Sequence, residues 1–106
     1  MEILEKHEYY INLFDFYESI LTEKQRLYFK EYYFNDLSLS EIANNYNISR
    51  NAVYDHINKV HQLLDKYESS LKLFSKFTKR LEILSEYEKY DIEIIKELIE
   101  KLKGIE

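Results

Sequence analysis

Residues 38–54 read SLSEIANNYNISRNAVY and hold two signals for the start of a helix, separated by a short corner. Ser38 is followed three residues later by Glu41, which is the pattern of a capping box and predicts a helix over residues 39–46. Ser49 is a further capping residue and predicts a helix that begins at Arg50. Asn47 tolerates a left-handed backbone between them. Two helices joined by the corner 47–49 form a helix-turn-helix.

The apolar residues of this segment fit the close packing of a helix-turn-helix. Ala43 is small enough to let the two helices cross closely. The wedge between the helices and its outer edges are assigned to Ile42, Ile48, Val53, Leu39 and Tyr46. Two residues depart from the usual pattern: Asn47 stands where many such units have Gly, and His56 stands where an apolar residue is expected. We therefore expect Ile57 to take the core position instead.

The segments before residue 38 also predict helices. Apolar residues at spacings of three and four make residues 3–21 an amphipathic helix with a wide apolar face. Thr22 and Gln25 form another capping box, which predicts a helix from Glu23 to Phe34. Asn35 and Asp36 then indicate a turn. The helix-turn-helix is thus preceded by two further helices.

The sequence directly after Ser49 has no comparable signal for the start or the end of a helix. A heptad seam consists of Val53, Ile57, Val60, Leu64, Tyr67, Leu71 and Phe74. This seam predicts one helix from Arg50 to about Tyr87. Such a helix would need a partner, either the N-terminal helix folded back or a second subunit. The alternative is a break at residues 68–70. A last helix is predicted from Ile92 to Lys103, with Asp91 as its cap and Gly104 as its stop.

Length and composition restrict the class of protein. The 106 residues favour one all-α domain, 1–106, with a helix-turn-helix core at 22–67 and a helical extension at 68–106. With no Pro, no Cys and a single Gly, the chain has no P-loop, no dinucleotide-binding glycine motif and no cysteine chemistry. It also has no apolar run that could span a membrane, so we expect a cytoplasmic protein. His7, His56 and His61 share no metal-ligand spacing, and no catalytic group or cofactor site is predicted.

The net charge of −5 is unfavourable for binding to nucleic acid. Residues 1–21 hold five acids and one base, whereas residues 38–67 hold three of each. The helix-turn-helix is therefore neutral, and strong affinity through phosphate contacts alone is not expected.

Several segments together resemble a known family. They are residues 21–26 (LTEKQR), 32–33 (YY), 38–43 (SLSEIA), 48–54 (ISRNAVY) and 64–68 (LDKYE). They are similar to the YlxM family, small bacterial proteins that are encoded beside signal-recognition-particle genes and described as helix-turn-helix DNA-binding regulators. Residues 21–64 are also similar to region 4 of sigma factors, which reads promoter DNA. The resemblance implies an all-α homodimer with a role in the signal-recognition-particle pathway.

The second helix of a helix-turn-helix enters the major groove, and its first turns contact the bases. The residues that would face outward are Ser49, Arg50, Asn51, Tyr54, Asp55 and Asn58. Arg50 matches guanine and Asn51 matches adenine. Candidates for phosphate contact are Ser49 and Lys59, with Lys24 and Arg26 at the start of the preceding helix. Asp55 opposes this role, because a carboxylate repels phosphates unless it accepts a hydrogen bond from cytosine.

Two functions remain open at this point. The protein is a dimeric regulator that binds duplex DNA, or it is a non-enzymatic accessory protein that binds a signal-recognition-particle protein or RNA through the same scaffold. A dimeric structural role without nucleic acid is a third reading.

Overall fold

The computed structural model describes residues 2–105, and within this range all regular structure is helical. This confirms the all-α helix-turn-helix fold. The elements are α1 Ile3–Tyr17, a 3₁₀ turn Glu18–Ile20, α2 Glu23–Tyr33, α3 Leu39–Tyr46, α4 Arg50–Leu71, α5 Leu73–Glu88 and α6 Glu93–Lys103. The chain divides into two compact units, one that ends at Lys72 and one that begins at Leu73.

The helix starts in the first unit follow the predicted capping signals. The Thr22 and Ser38 side chains each accept a hydrogen bond from the backbone N–H three residues later, and the side chains of Gln25 and Glu41 complete both capping boxes. At α4 the N–H of Ala52 donates to Oγ of Ser49 over 3.0 Å. Three of the predicted starts are therefore confirmed, because each is fixed by a contact within four residues of sequence.

Asn47 makes the corner between α3 and α4. Its φ of 56° and ψ of 44° place it in the left-handed region, as predicted. The N–H of the next residue, Ile48, donates to the carbonyl of Ala43 over 3.1 Å and closes the end of α3. This arrangement is a left-handed helix end made with Asn in place of Gly.

The core of the first unit surrounds α4, which packs against α1, α2 and α3. Buried side chains from four turns of α4 make one stripe: Val53, Ile57, Val60 and Leu64. Tyr10 and Tyr17 of α1 bury their rings against this helix, and their hydroxyls donate hydrogen bonds to Asp65 over 2.9 Å and to Glu68 over 2.7 Å. The N-terminal helix is thus a partner of the seam within the same chain.

The expectation of one helix from Arg50 to Tyr87 is wrong, and the alternative of a break is correct. Helix α4 ends at Leu71, and Lys72 takes a left-handed conformation with φ of 55° before α5 begins. The break lies just after the predicted residues 68–70. Because neither Gly nor Pro stands at this break, the residue types in the sequence do not predict that it falls at Lys72.

Replacement of Lys72 by Gly is expected to raise the free energy of unfolding by about 1 kcal/mol. Lys pays a steric cost in the left-handed conformation that Gly does not, which outweighs the greater chain entropy of unfolded Gly. Lys66→Gly is the matched control, since Lys66 is exposed within α4, and this change should lower stability by about 1 kcal/mol. Urea denaturation measures the free energy of unfolding of both variants. A Lys72→Gly protein that is less stable than the wild type would contradict the steric cost assigned to the left-handed Lys72.

The ends of α6 differ from the prediction. The helix begins at Glu93, and its N-cap is Ile92, which makes no side-chain capping bond. Asp91 is therefore not the cap, and its carboxylate pairs with Lys96 instead. Gly104 does follow the last helical residue, but with a right-handed φ of −67°, so its flexibility is not used.

Candidate nucleic-acid interface

The angle between α3 and α4 is held by a small apolar cluster. Ile42 and Val53 are completely buried, and Ala43 is 6% exposed at the crossing of the two helices. Ile48 and Leu39 are half-buried at its edges. The predicted wedge is present, and it fixes which side of α4 is left open.

The predicted contact residues on α4 are all exposed. The set consists of Ser49, Arg50, Asn51, Tyr54, Asp55, Asn58 and Lys59. They lie outside the buried stripe, at the N-cap and within the first three turns of the helix. We call this set the α4 outer face. Ser49 uses its oxygen as an acceptor for the helix cap, and its hydroxyl proton is still able to donate to a phosphate.

Two residues of this face also line a cleft. Tyr54, whose exposed fraction is 53%, and Asn58 stand at a depression of about 210 Å³. Residues from all four helices of the first unit complete it: Lys6, Tyr32, Leu39, Ile57 and His61. Arg50 and Asn51, at the beginning of the face, do not line this cleft.

His56 fills the position where an apolar residue is expected. Its half-buried ring lies 4.8 Å from that of Tyr28, and the Tyr28 ring contacts Tyr46 edge-on at 5.4 Å. Ile57 is buried beside it, as predicted. Ring packing therefore takes the place of an aliphatic contact at the outer edge of the helix-turn-helix.

The two predicted basic residues of α2 have different surroundings. Lys24 is exposed in the first turn of the helix. Arg26 is half-buried, and its Nη1 donates to the carbonyl of Leu21 over 2.6 Å and to that of Glu18 over 3.5 Å. Arg26 thereby holds the junction between α1 and α2. A guanidinium carries five N–H groups, so this role is compatible with a phosphate contact.

His61 has a structural role that spacing arguments missed. Its ring stacks on Tyr10 at 4.1 Å, and its Nε2 shares a hydrogen bond of 2.6 Å with the Tyr33 hydroxyl. Burial lowers the pKa of His61 to about 4, and the positive charge of Lys6 acts in the same direction, whereas Asp65 opposes it. The imidazole is thus neutral near pH 7 and joins α1, α2 and α4.

Stability is expected to fall as the pH is lowered from 7.5 to 5, and His61 is expected to contribute to that fall. Below its ordinary pKa of 6.5 the unfolded chain takes up a proton that the folded protein, with a pKa of about 4, does not bind. His61→Gln keeps a partner for Tyr33 but does not titrate. Urea denaturation of both proteins at the two pH values should show the smaller loss for the variant, and parallel losses would contradict the lowered pKa.

The α4 outer face has a net charge of only +1. Arg50 and Lys59 are its cations, and Asp55 is its anion. Asp55 is exposed beside Tyr54, at the position that sequence analysis identified as repulsive to phosphate. The face therefore favours recognition through hydrogen bonds of particular geometry over general attraction to a polyanion.

No helix in the described part of the chain is long and apolar enough to cross a membrane.

Comparison with known proteins identifies relatives along almost the entire chain. A family described as "UPF0122: Putative helix-turn-helix protein, YlxM / p13 like" matches residues 4–105. A UPF0122 protein of Bacillus mycoides is 45% identical over 109 residues, which cover 94% of this chain and 99% of the relative. A UPF0122 protein of Shouchella clausii is 53% identical over 77 residues, or 73% of this chain and 71% of the relative. One from a Geobacillus species is 42% identical over 97 residues, or 89% and 88%. With its helix-turn-helix formed by α3 and α4, the chain belongs to the UPF0122 (YlxM / p13-like) family.

Proposed function

We propose that the protein is a non-enzymatic regulator that binds duplex DNA in the cytoplasm through the first turns of α4. The observation that carries the proposal is the α4 outer face, an exposed polar surface presented by a well-packed helix-turn-helix. A helix of this kind fits the major groove, where side chains distinguish the four base pairs.

Each residue of the face has a role in this proposal. Arg50 pairs with guanine O6 and N7, and Asn51 pairs with adenine. Tyr54 and Asn58 contact bases or sugars further along the groove. Phosphates are held by Ser49, Lys59, Lys24 and Arg26, which fix the register of the protein on the duplex.

The proposal also includes a homodimer that binds two half-sites about one helical turn apart. A single neutral helix-turn-helix makes few ionic contacts, and two copies on one DNA molecule raise the affinity without any additional charge. The support is the balanced charge of residues 38–67.

The same balanced charge favours a second candidate, an accessory role in the signal-recognition-particle pathway. In that case the α4 outer face binds a protein or RNA component of the particle, and Asp55 serves as an acceptor for a donor of the partner. The two candidates predict different ligands, so titrations with a duplex and with the RNA or protein component separate them.

Binding should be measured by fluorescence anisotropy with a duplex selected from a random-sequence pool, and with signal-recognition-particle RNA. Three phosphate-binding cations in each protomer predict a slope of log K against log salt of about −5 for a dimer. From about 50 mM to about 200 mM salt, affinity should fall roughly 10³-fold. If no duplex is enriched at low salt while the RNA or a particle protein binds, the DNA proposal is wrong.

A further inference from the structure

The second unit has a very small core. Helices α5 and α6 pack against each other, yet no described residue of α5 is buried, and Ile99 is the one buried residue among those described in α6. Helical units below about 40 residues usually need a disulfide, a metal or association with another chain. The chain contains no Cys, and the described residues include no group of three or more His, Asp or Glu side chains that could hold a metal ion, so neither a disulfide nor such a metal site is available. Association is the remaining means by which this unit gains a covered apolar surface.

One side of the unit is suited to such association. A groove of about 440 Å³ is lined by Arg80, Ile83, Leu84, Leu102 and Ile105. Beyond these residues α6 also exposes Ile94 and Leu98, of which 73% and 57% are accessible. Helix α6 is strongly amphipathic, and among its described apolar residues Ile99 is the one that is buried. We call Ile83, Leu84, Ile94, Leu98, Leu102 and Ile105 the α5–α6 apolar face. Apolar surface this continuous is typical of an interaction site.

The charges of α5 are segregated along the helix. Its first half carries three bases and no acid, namely Lys76, Lys79 and Arg80. Its second half carries three acids and no base, namely Glu82, Glu86 and Glu88. Two such helices side by side attract each other when they are antiparallel and repel each other when they are parallel.

We propose that a second copy of this chain covers the α5–α6 apolar face. In a twofold interface with the two α5 helices antiparallel, residue i contacts residue j while j contacts i, so the basic half of each α5 lies opposite the acidic half of the other. The seven acids and seven bases of residues 73–105 give no net repulsion between copies. The groove receives apolar side chains from the partner. This surface deepens the proposed function, because it supplies the homodimer, and it replaces the α4 seam, whose residues Val53 to Leu64 are buried within one chain.

The first test is the mass of the full chain in solution, measured without DNA. The wild-type protein should have twice the 13.1 kDa of one chain by light scattering at tens of micromolar. The double change Ile83→Glu with Leu98→Glu should give 13.1 kDa with unaltered helical circular dichroism, since both side chains are more than half exposed. Ile3→Glu with Leu4→Glu is the matched control, because these residues are 88% and 77% exposed in the first unit. The control should remain dimeric.

The second test uses the segregated charges. Lys76→Glu with Lys79→Glu makes α5 acidic, and Glu82→Lys with Glu86→Lys makes it basic, so each variant alone should be monomeric. An equimolar mixture should restore the mass of a dimer that contains one of each.

A monomeric wild-type protein, or a dimer that persists in the Ile83→Glu, Leu98→Glu variant, would overturn the proposal. The result is independent of DNA binding, because Arg50→Ala should remain dimeric. If the protein is dimeric but binds no DNA, the proposed function is wrong and the proposed interface still stands.

Discussion

Replacement of Phe29 by Ala is expected to lower the free energy of unfolding by about 3–5 kcal/mol. The ring is completely buried in α2. It stacks on Phe14 at 4.2 Å and on Tyr33 at 4.3 Å, and these residues belong to α1 and to the same helix α2. Truncation removes both contacts and leaves a cavity between two helices that pack on α4.

Urea denaturation followed by circular dichroism measures this loss, and Phe34→Ala is the matched control. Phe34 is the same residue type at the end of the same helix, but 47% of it is exposed and its ring meets Phe29 only edge-on at 6.2 Å. The control should cost much less than Phe29→Ala. Equal losses would show that the stacked rings are not the main support of α2.

Replacement of Arg50 by Ala is expected to weaken binding to a selected duplex by about 5- to 150-fold for each half-site that the protein contacts, which corresponds to about 1–3 kcal/mol per half-site. A guanidinium that pairs with guanine makes two hydrogen bonds, and Ala makes neither. The loss of affinity should depend on the DNA sequence. A duplex in which the paired guanine is replaced should bind the wild-type protein and Arg50→Ala with equal affinity. Anisotropy titration with the two duplexes measures this difference.

Lys66→Ala is the control for Arg50→Ala, because Lys66 is exposed on α4 but lies more than four turns after Arg50. Both variants should unfold like the wild type, since neither side chain is buried. Equal affinity of Arg50→Ala and wild type for the selected duplex would exclude base recognition by this residue.

The helix-turn-helix was predictable because its signals are local. Ser38, Ser49 and Asn47 act on backbone groups within four residues, so their effect follows from sequence order alone. The exposed outer face of α4 follows from the same register, because the apolar stripe Val53, Ile57, Val60 and Leu64 fixes which side is buried. These predictions depend on helix geometry and not on the rest of the chain.

Contacts between distant segments were not predictable. The Tyr10 hydroxyl donates a hydrogen bond to Asp65, which is 55 residues away in the sequence, and Tyr33 shares one with His61, which is 28 residues away. No pattern in the sequence pairs these residues. Arg26 was assigned to phosphate from its place at a helix start, and its bond to the Leu21 carbonyl depends on how α1 ends. The end of α4 at Leu71, before the left-handed Lys72, was likewise not predictable, because the heptad spacing continues past it.

The hydroxyl caps at Thr22, Ser38 and Ser49 have a consequence for experiments at high ionic strength. A hydroxyl oxygen has no net charge, so dissolved ions barely weaken the bonds that start α2, α3 and α4. The first unit should therefore keep its fold in concentrated salt, and any loss of binding measured there is attributable to competition by ions and not to unfolding of α4.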